Sequence, residues 1–217
     1  MKSNKMESST DRESARKKTT AQSARKKDVK DAPKFQYTDG EVVEGVNQFK
    51  VVNQIRKSVR GLESDVYCVK DVDQNEELRM KVNNLDHLVL KTEAALLRKL
   101  EKKPGDRCFL SLTEYGTDAK HKVEFMIVSP YGMTLYEIMK KVTSGPLSLE
   151  CAFSVALQML KAIQDLHSIG YLHRNIRPSA FTCGLGDTEC VVYLQDFRAV
   201  RKFEDQKKHV TARTGVK

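Results

Sequence analysis

The stretch Tyr171-Leu-His-Arg-Asn-Ile-Arg-Pro-Ser-Ala-Phe181 constrains this chain more than any other. A long helical pattern ends at Gly170, immediately before it. An apolar run, Val191-Val-Tyr-Leu194, follows as a strand and passes directly into Gln195-Asp-Phe-Arg198. The order is therefore helix, polar loop, strand, Asp-Phe. A fold for this chain must present one histidine, two arginines and an asparagine from a loop, and an aspartate from the end of the following strand.

The remainder of the chain supplies the frame. Residues 1–34 hold 11 Lys/Arg against 5 Asp/Glu, a net +6, whereas the other residues hold 27 against 24, a net +3. This segment has almost no large apolar side chains, cannot bury enough surface to offset backbone ordering, and reads as a disordered basic tail. Ser-Ala-Arg-Lys-Lys occurs in it twice, at Ser14–Lys18 and Ser23–Lys27. A solvated tail, a nuclear-import signal and a contact with an acidic polymer are all compatible with that pattern, but the lack of interleaved aromatics argues against base stacking. We divide the chain into a tail, 1–44, and a folded domain, 45–217. Three strand-like runs follow, Phe49–Ile55, Asp65–Val69 and Glu77–Val82. Leucines at 85, 88, 90, 96, 97 and 100 then mark an amphipathic helix ended by Pro104-Gly105. Two further strands are expected around Leu110–Tyr115 and Val123–Val128, a hinge at Ser129–Gly132, a short helix over Leu135–Val142, and a long one from Ser148 to about Ile169, capped by Ser148 with Glu150 in its first turn. No apolar run approaches the roughly 18 residues of a membrane span. The five cysteines are odd in number with no C-x-x-C pair, as expected of reduced thiols rather than a zinc site.

Leu90-Lys-Thr-Glu-Ala-Ala-Leu-Leu-Arg-Lys-Leu100 and Gly170-Tyr-Leu-His-Arg-Asn-Ile-Arg-Pro-Ser-Ala-Phe181, taken with Asp196-Phe-Arg198, resemble motifs of the protein kinases. They resemble most the casein kinase 1 group and, within it, the tau-tubulin kinases, whose loop reads G-(F/Y)-x-H-R-D-I-K-P-x-N-F. The resemblance covers roughly Phe49 to Lys217. It implies an α+β, two-lobed fold with a small antiparallel β lobe and a helical large lobe. Family members continue well beyond the D-F-G position, so the chain is expected to be C-terminally incomplete, with an apolar stripe of the Ser148–Ile169 helix left bare and prone to aggregation or to a partner.

The resemblance implies ATP and Mg²⁺ as cofactors, and several residues match their sites. Lys81 falls where the family's lysine holds the α- and β-phosphates, Glu93 where its helix glutamate pairs with that lysine, Val66 where a valine caps adenine, and Asp196 on the metal-binding aspartate. Leu97, His173 and Phe197 match positions that stack through the family's core. Other positions depart. Of the phosphate loop's three glycines only Gly61 remains, with Val59 and Ser64 at the other two positions. Arg79 replaces the small alanine of the adenine roof, and must point away or occupy the pocket. Asn175 replaces the catalytic base, a loss typically worth about 10²–10⁴ in rate. Ala180 replaces an Asn that ligates a second Mg²⁺, and a methyl group offers no lone pair. Arg177 replaces the loop lysine. Arg198 replaces the glycine of D-F-G, where its guanidinium is placed to pair with Asp196 and stand in for a metal ion.

The expected function is that of a casein kinase 1-like pseudokinase, a binding or scaffold module whose ATP and Mg²⁺ sites are weakened. An active Ser/Thr kinase acting on a protein substrate is the alternative, and a tail that tethers an acidic partner is a third. A cytoplasmic location is expected, with the nucleus as the other compartment.

Overall fold

A computed structural model describes residues 35–57, 64–85, 89–102, 108–141, 147–205 and 208–209. The basic repeats and Gly61 lie outside these residues. The fold is α+β. Six antiparallel strands, β1 (Val42–Glu44), β2 (Gln48–Arg56), β3 (Asp65–Asp71), β4 (Glu77–Asn84), β5 (Leu112–Asp118) and β6 (Val123–Val128), form one curled sheet in the order β1-β2-β3-β4-β6-β5. The folded unit starts at Phe35, where the basic composition of residues 1–34 ends, ten residues before the 44/45 domain division. Tyr37 is buried beneath the sheet, and β1 pairs with β2 along its whole length, Val42 opposite Lys50 and Glu44 opposite Gln48. Of the ten residues 35–44 assigned to the tail, three, Val42–Glu44, are therefore a strand of the sheet. The few large side chains of residues 35–44, Phe35, Tyr37 and Val43, carry the apolar contact that joins this segment to the domain.

The two faces of the sheet serve different cores. One packs Tyr37, Phe49, Tyr67, Met80, Phe125 and Ile127 together. The other receives helix α1 (Val89–Glu101), whose buried residues Leu90, Glu93, Ala94, Leu97 and Leu100 recur at helical spacing on one stripe. A carboxylate from the sheet fixes where α1 begins. Glu124 of β6, fully buried, accepts the backbone N–H groups of Leu90 (2.9 Å) and Lys91 (3.2 Å), and also the Tyr115 hydroxyl at 3.2 Å. It satisfies donors that a helix N-terminus leaves without partners, and places negative charge at the positive end of the helix. Burial and the Glu124 carboxylate together push the Tyr115 phenol up to about 12. Glu124→Ala is expected to cost about 2–3 kcal/mol, because it strands buried donors. Thermal unfolding of the variant measures this, and Glu124→Gln should recover part of it.

Beyond β6 the hinge Ser129–Gly132 leads to α2 (Leu135–Lys141) and α3 (Leu149–Ser168). Ser148 caps α3, its hydroxyl oxygen accepting the Cys151 N–H at 3.2 Å. Along α3, Ala162 and Leu166 are buried, while Leu149, Phe153, Leu157 and Leu160 stand 61–73% exposed. The helix feeds a set of short ladders that no periodicity announces. β7 (Tyr171–Leu172) pairs with β10 (Arg201–Lys202), and β8 (Phe181–Cys183) with β9 (Val192–Leu194); a further short hairpin joins β11 (Glu204–Asp205) to β12 (Lys208–His209). The first two ladders bracket the segments 173–180 and 195–200 and hold them side by side. All five cysteines are free thiols.

Candidate functional site

β4 and α1 create the first element of the site. Lys81 lies on the β4 face turned toward α1, and Glu93 sits on the buried stripe of that helix. Their side chains meet at 2.6 Å, with Lys81 5% and Glu93 3% exposed. Burial by itself would lower the lysine's pKa; the Glu93 carboxylate and then Tyr131 overcome it, so the ammonium is held above its ordinary value. The pair is shielded from water.

Asp196 is the second element. It follows β9 in the left-handed region, with φ 65°, a conformation that costs energy for a residue with a Cβ. This turn carries the carboxylate back over the loop 173–180. Arg198 clamps it with two hydrogen bonds, Nε to Oδ1 at 2.5 Å and an η-nitrogen to Oδ2 at 3.0 Å. Arg177, from the loop, donates to Oδ2 at 2.9 Å. Burial alone would raise the carboxyl's pKa. The hydrogen bonds from Arg198 and then Arg177 outweigh it and bring the value down to about 2. A carboxylate whose pKa falls on folding stabilises the native state above the unfolded value, and that contribution disappears as pH drops through about 2. Asp196→Asn is therefore expected to cost about 1–2 kcal/mol at pH 7, discounted for the partial exposure of both guanidiniums. The gap between the two proteins should close between about pH 5 and pH 2, which stability curves at stepped pH would measure.

The loop itself is tied down from several sides. Nε2 of buried His173 donates to the Gln195 carbonyl at 2.9 Å, and its ring meets Phe197 edge-on at 5.6 Å. Nε of Arg174 donates to the Ala199 carbonyl at 2.8 Å. Phe197 and Leu97 are buried in the same core. Asn175 is half-buried on the loop between these anchors. Ala180 is fully buried, its methyl packed in that core, so it directs no donor atom at Asp196.

The roof of the cleft carries Val66, 4% exposed, and Arg79. Arg79 stays in the cleft but lies along its wall, tied to its own strand, and does not fill the cavity. It is 7% exposed and lines a cavity of about 710 Å³ with Val66, Tyr131 and Met133. One of its η-nitrogens donates to Glu77 at 2.7 Å and to the Leu78 carbonyl at 3.3 Å, and lies 3.5 Å from Cys68 Sγ. Next to it is a second cavity, about 670 Å³, lined by Lys81, Glu93, Arg177, Asp196, Arg198 and Ser64. Val59 and Gly61 lie outside the described residues.

The structure thus brings Lys81, Glu93, Val66, Arg177 and Asp196 around one cleft, with Asn175 on the loop beside it. Two contributors escaped sequence reasoning. Tyr131 turns in from the hinge until its ring centroid is 5.9 Å from Lys81 Nζ. Glu137 of α2 reaches across the mouth to Arg56 of β2 at 3.5 Å. An aromatic in the hinge and a basic pair before the phosphate loop were the only signals available, and neither gives direction. The residues do not fit a divalent cation in the manner the family resemblance implies. The Asp196 oxygens already accept from two guanidiniums, Ala180 supplies no ligand, and among the described residues no cluster of three or more His, Cys, Asp or Glu could hold a metal.

No family model matches the chain. It is similar to three proteins whose names place them among kinases. One, of Dictyostelium discoideum, is named a serine/threonine-protein kinase and is 30% identical over 152 residues, covering 69% of this chain and 30% of that protein. A Caenorhabditis elegans protein bearing the name casein kinase I is 27% identical over 143 residues, 65% of this chain and 42% of that protein. The serine/threonine-protein kinase spe-6 of the same organism is 30% identical over 155 residues, 70% of this chain and 40% of that protein. The matched region spans less than half the length of each relative.

Proposed function

From the premise that this chain's homologues are serine/threonine protein kinases, casein kinase I-like ones among them, we propose a kinase-fold binding or scaffold module that transfers little or no phosphate. The observation that carries this reading is the double guanidinium clamp on Asp196. In the family that carboxylate is free to hold Mg²⁺; here two fixed cations take its lone pairs, Asn175 offers no base, and Ala180 offers no second ligand. Arg198 acts in place of a metal ion, neutralising Asp196 without binding phosphate oxygens through a shared cation. Mg²⁺ titration followed by calorimetry is expected to give no site for the wild type and a measurable one for Arg198→Gly; equal Mg²⁺ binding by both proteins would sink the substitution of guanidinium for metal. Purified protein incubated with labelled ATP, Mg²⁺ and generic protein substrates tests the wider reading. Labelling that Lys81→Ala abolishes would overturn it.

One observation favours the alternative of an active Ser/Thr kinase acting on proteins. The Lys81–Glu93 pair is closed at 2.6 Å and buried, the arrangement that phosphoryl transfer in kinases requires. We weigh it below the clamp, because the pair also serves packing, whereas the clamp occupies the oxygens that a metal would need.

A further inference from the structure

Helix α3 is apolar on two opposite faces. One face packs Val155, Met159, Ala162, Ile163 and Leu166 into the core. On the other, Leu149, Phe153, Leu157 and Leu160 stand 61–73% exposed, with Ala152 and Ala156 exposed among them. A helix that is apolar all round is ordinarily covered on all sides, and a contiguous exposed apolar patch marks an interaction surface.

The exposed face has a pattern of its own. Leu149, Phe153, Ala156 and Leu160 recur at steps of four, three and four residues, the alternation that lays a seam along one helix paired with another. Leu157 lies beside that seam. It starts at the first residue of α3, runs for about 17 Å, and stops short of His167, where the Phe203 ring stands edge-on at 6.2 Å.

The side chains along the seam decide what fits it. On the flank that carries Leu157, Glu150 stands near the N-terminal end and Lys161 near the C-terminal end. Both are exposed, and Lys161 also pairs with Asp165 at 2.9 Å. A helix of the same sequence running the opposite way offers the reverse order. With a two-fold axis between Ser154 and Val155, Phe153 of each copy falls over the small Ala156 of the other. Leu149 then meets Leu160, Glu150 comes beside Lys161, and every contact is made twice. Antiparallel helices also set the positive end of one dipole beside the negative end of the other. Each large side chain offers roughly 60–120 Å² of apolar surface. Four from each copy supply much of the approximately 1,200 Å² at which specific interfaces begin. Large meets small and acid meets base when the seam is set against itself, which points to a second copy rather than to an unrelated protein.

We propose that this chain forms a two-fold symmetric dimer by antiparallel pairing of α3 with α3 of a second copy. The inference goes beyond the reading of a binding module and does not depend on the state of the cleft.

The test uses the full 217-residue chain under reducing conditions, because the exposed thiols of Cys151 and Cys190 would otherwise join copies covalently. Sedimentation velocity from about 1 to about 200 μM, the range of weak interfaces, should show a monomer–dimer equilibrium. The melting temperature should rise with protein concentration. Phe153→Glu/Leu160→Glu should weaken association by about 100-fold or more, the scale of central interface residues, with an unchanged circular dichroism spectrum. Glu150→Lys and Lys161→Glu should each weaken it by about fivefold. An equimolar mixture of those two variants should regain wild-type affinity, because both cross-pairs are then attractive; a mixture no tighter than either variant alone overturns the antiparallel pairing. A chain that stays monomeric at about 200 μM overturns the proposal and assigns the seam to another protein or to a longer form of the chain. A dimer that persists in the folded Phe153→Glu/Leu160→Glu variant places the interface elsewhere and overturns it too, as does open-ended aggregation with no dimer step.

Discussion

Glu93→Ala is expected to destabilise the fold by about 3–5 kcal/mol, the cost of leaving a buried charge without its partner. Lys81 is 5% exposed and its ammonium is held charged by Glu93 at 2.6 Å. Removing the carboxylate leaves that charge, among the described residues, to the weaker influence of Tyr131 and Asp196. At about 2–4 °C per kcal/mol for a domain of this size, the melting temperature should fall by roughly 6–20 °C. Lys81→Met/Glu93→Leu provides the control. If the penalty comes from an orphaned charge rather than from lost packing, the double variant should recover most of it, since an apolar pair of similar volume is often as stable as a buried ion pair. A single Glu93→Ala variant that melts within 2 °C of wild type, about 1 kcal/mol or less, would show that the pair is not buried in solution.

The second large effect concerns chemistry. Arg79→Ala, Asn175→Asp, Ala180→Asn and Arg198→Gly combined are expected to raise phosphotransfer by about 10²-fold or more over wild type, the typical contribution of a general base acting with its metal ligands in place. Each change addresses a separate deficit: room under the roof, a proton acceptor, a second metal ligand, and access to Asp196. Residues that act as a unit are strongly non-additive, so Asn175→Asp alone should gain little while Arg198 still clamps Asp196. Initial rates of labelling for the single and combined variants measure this. A wild type that already matches the combined variant would contradict the reading of a dismantled centre.

The resistance to rebuilding can be traced to particular residues. Arg198 is two residues from Asp196 on one turn, so their pairing was legible in the sequence as soon as that turn was recognised. Arg177 is 19 residues from Asp196. Its contact depends on the β8–β9 ladder, which sets Phe181 opposite Leu194 and Cys183 opposite Val192 and so folds the loop back against residues 195–198. Replacing Arg198 alone therefore leaves Asp196 half-clamped, and the loop arginine is a second target for the Mg²⁺ titration.

The long elements were readable for two reasons: β2, α1 and α3 bury one face, and β3, β4 and β6, buried on both faces, stand out as short strand-like runs. β2, α1 and α3 show periodicities that follow directly from side-chain geometry on strands and helices, and Ser148 announced the start of α3 by its chemistry. Lys81, Glu93 and Asp196 could be named from motif order. The edge strand β1 and the two- and three-residue ladders could not, since runs that short have no period and exist only because a partner strand lies alongside. The direction of the Tyr131 ring, the course taken by Arg79 and the reach of Glu137 to Arg56, 81 residues away, were equally hidden. Sequence alone determined which residue types face each interior, because burial of apolar surface is written locally in spacing. Tertiary structure alone decided which charges neutralise one another and which donors remain unmet, because those depend on distances between segments that hydrophobic pattern does not encode.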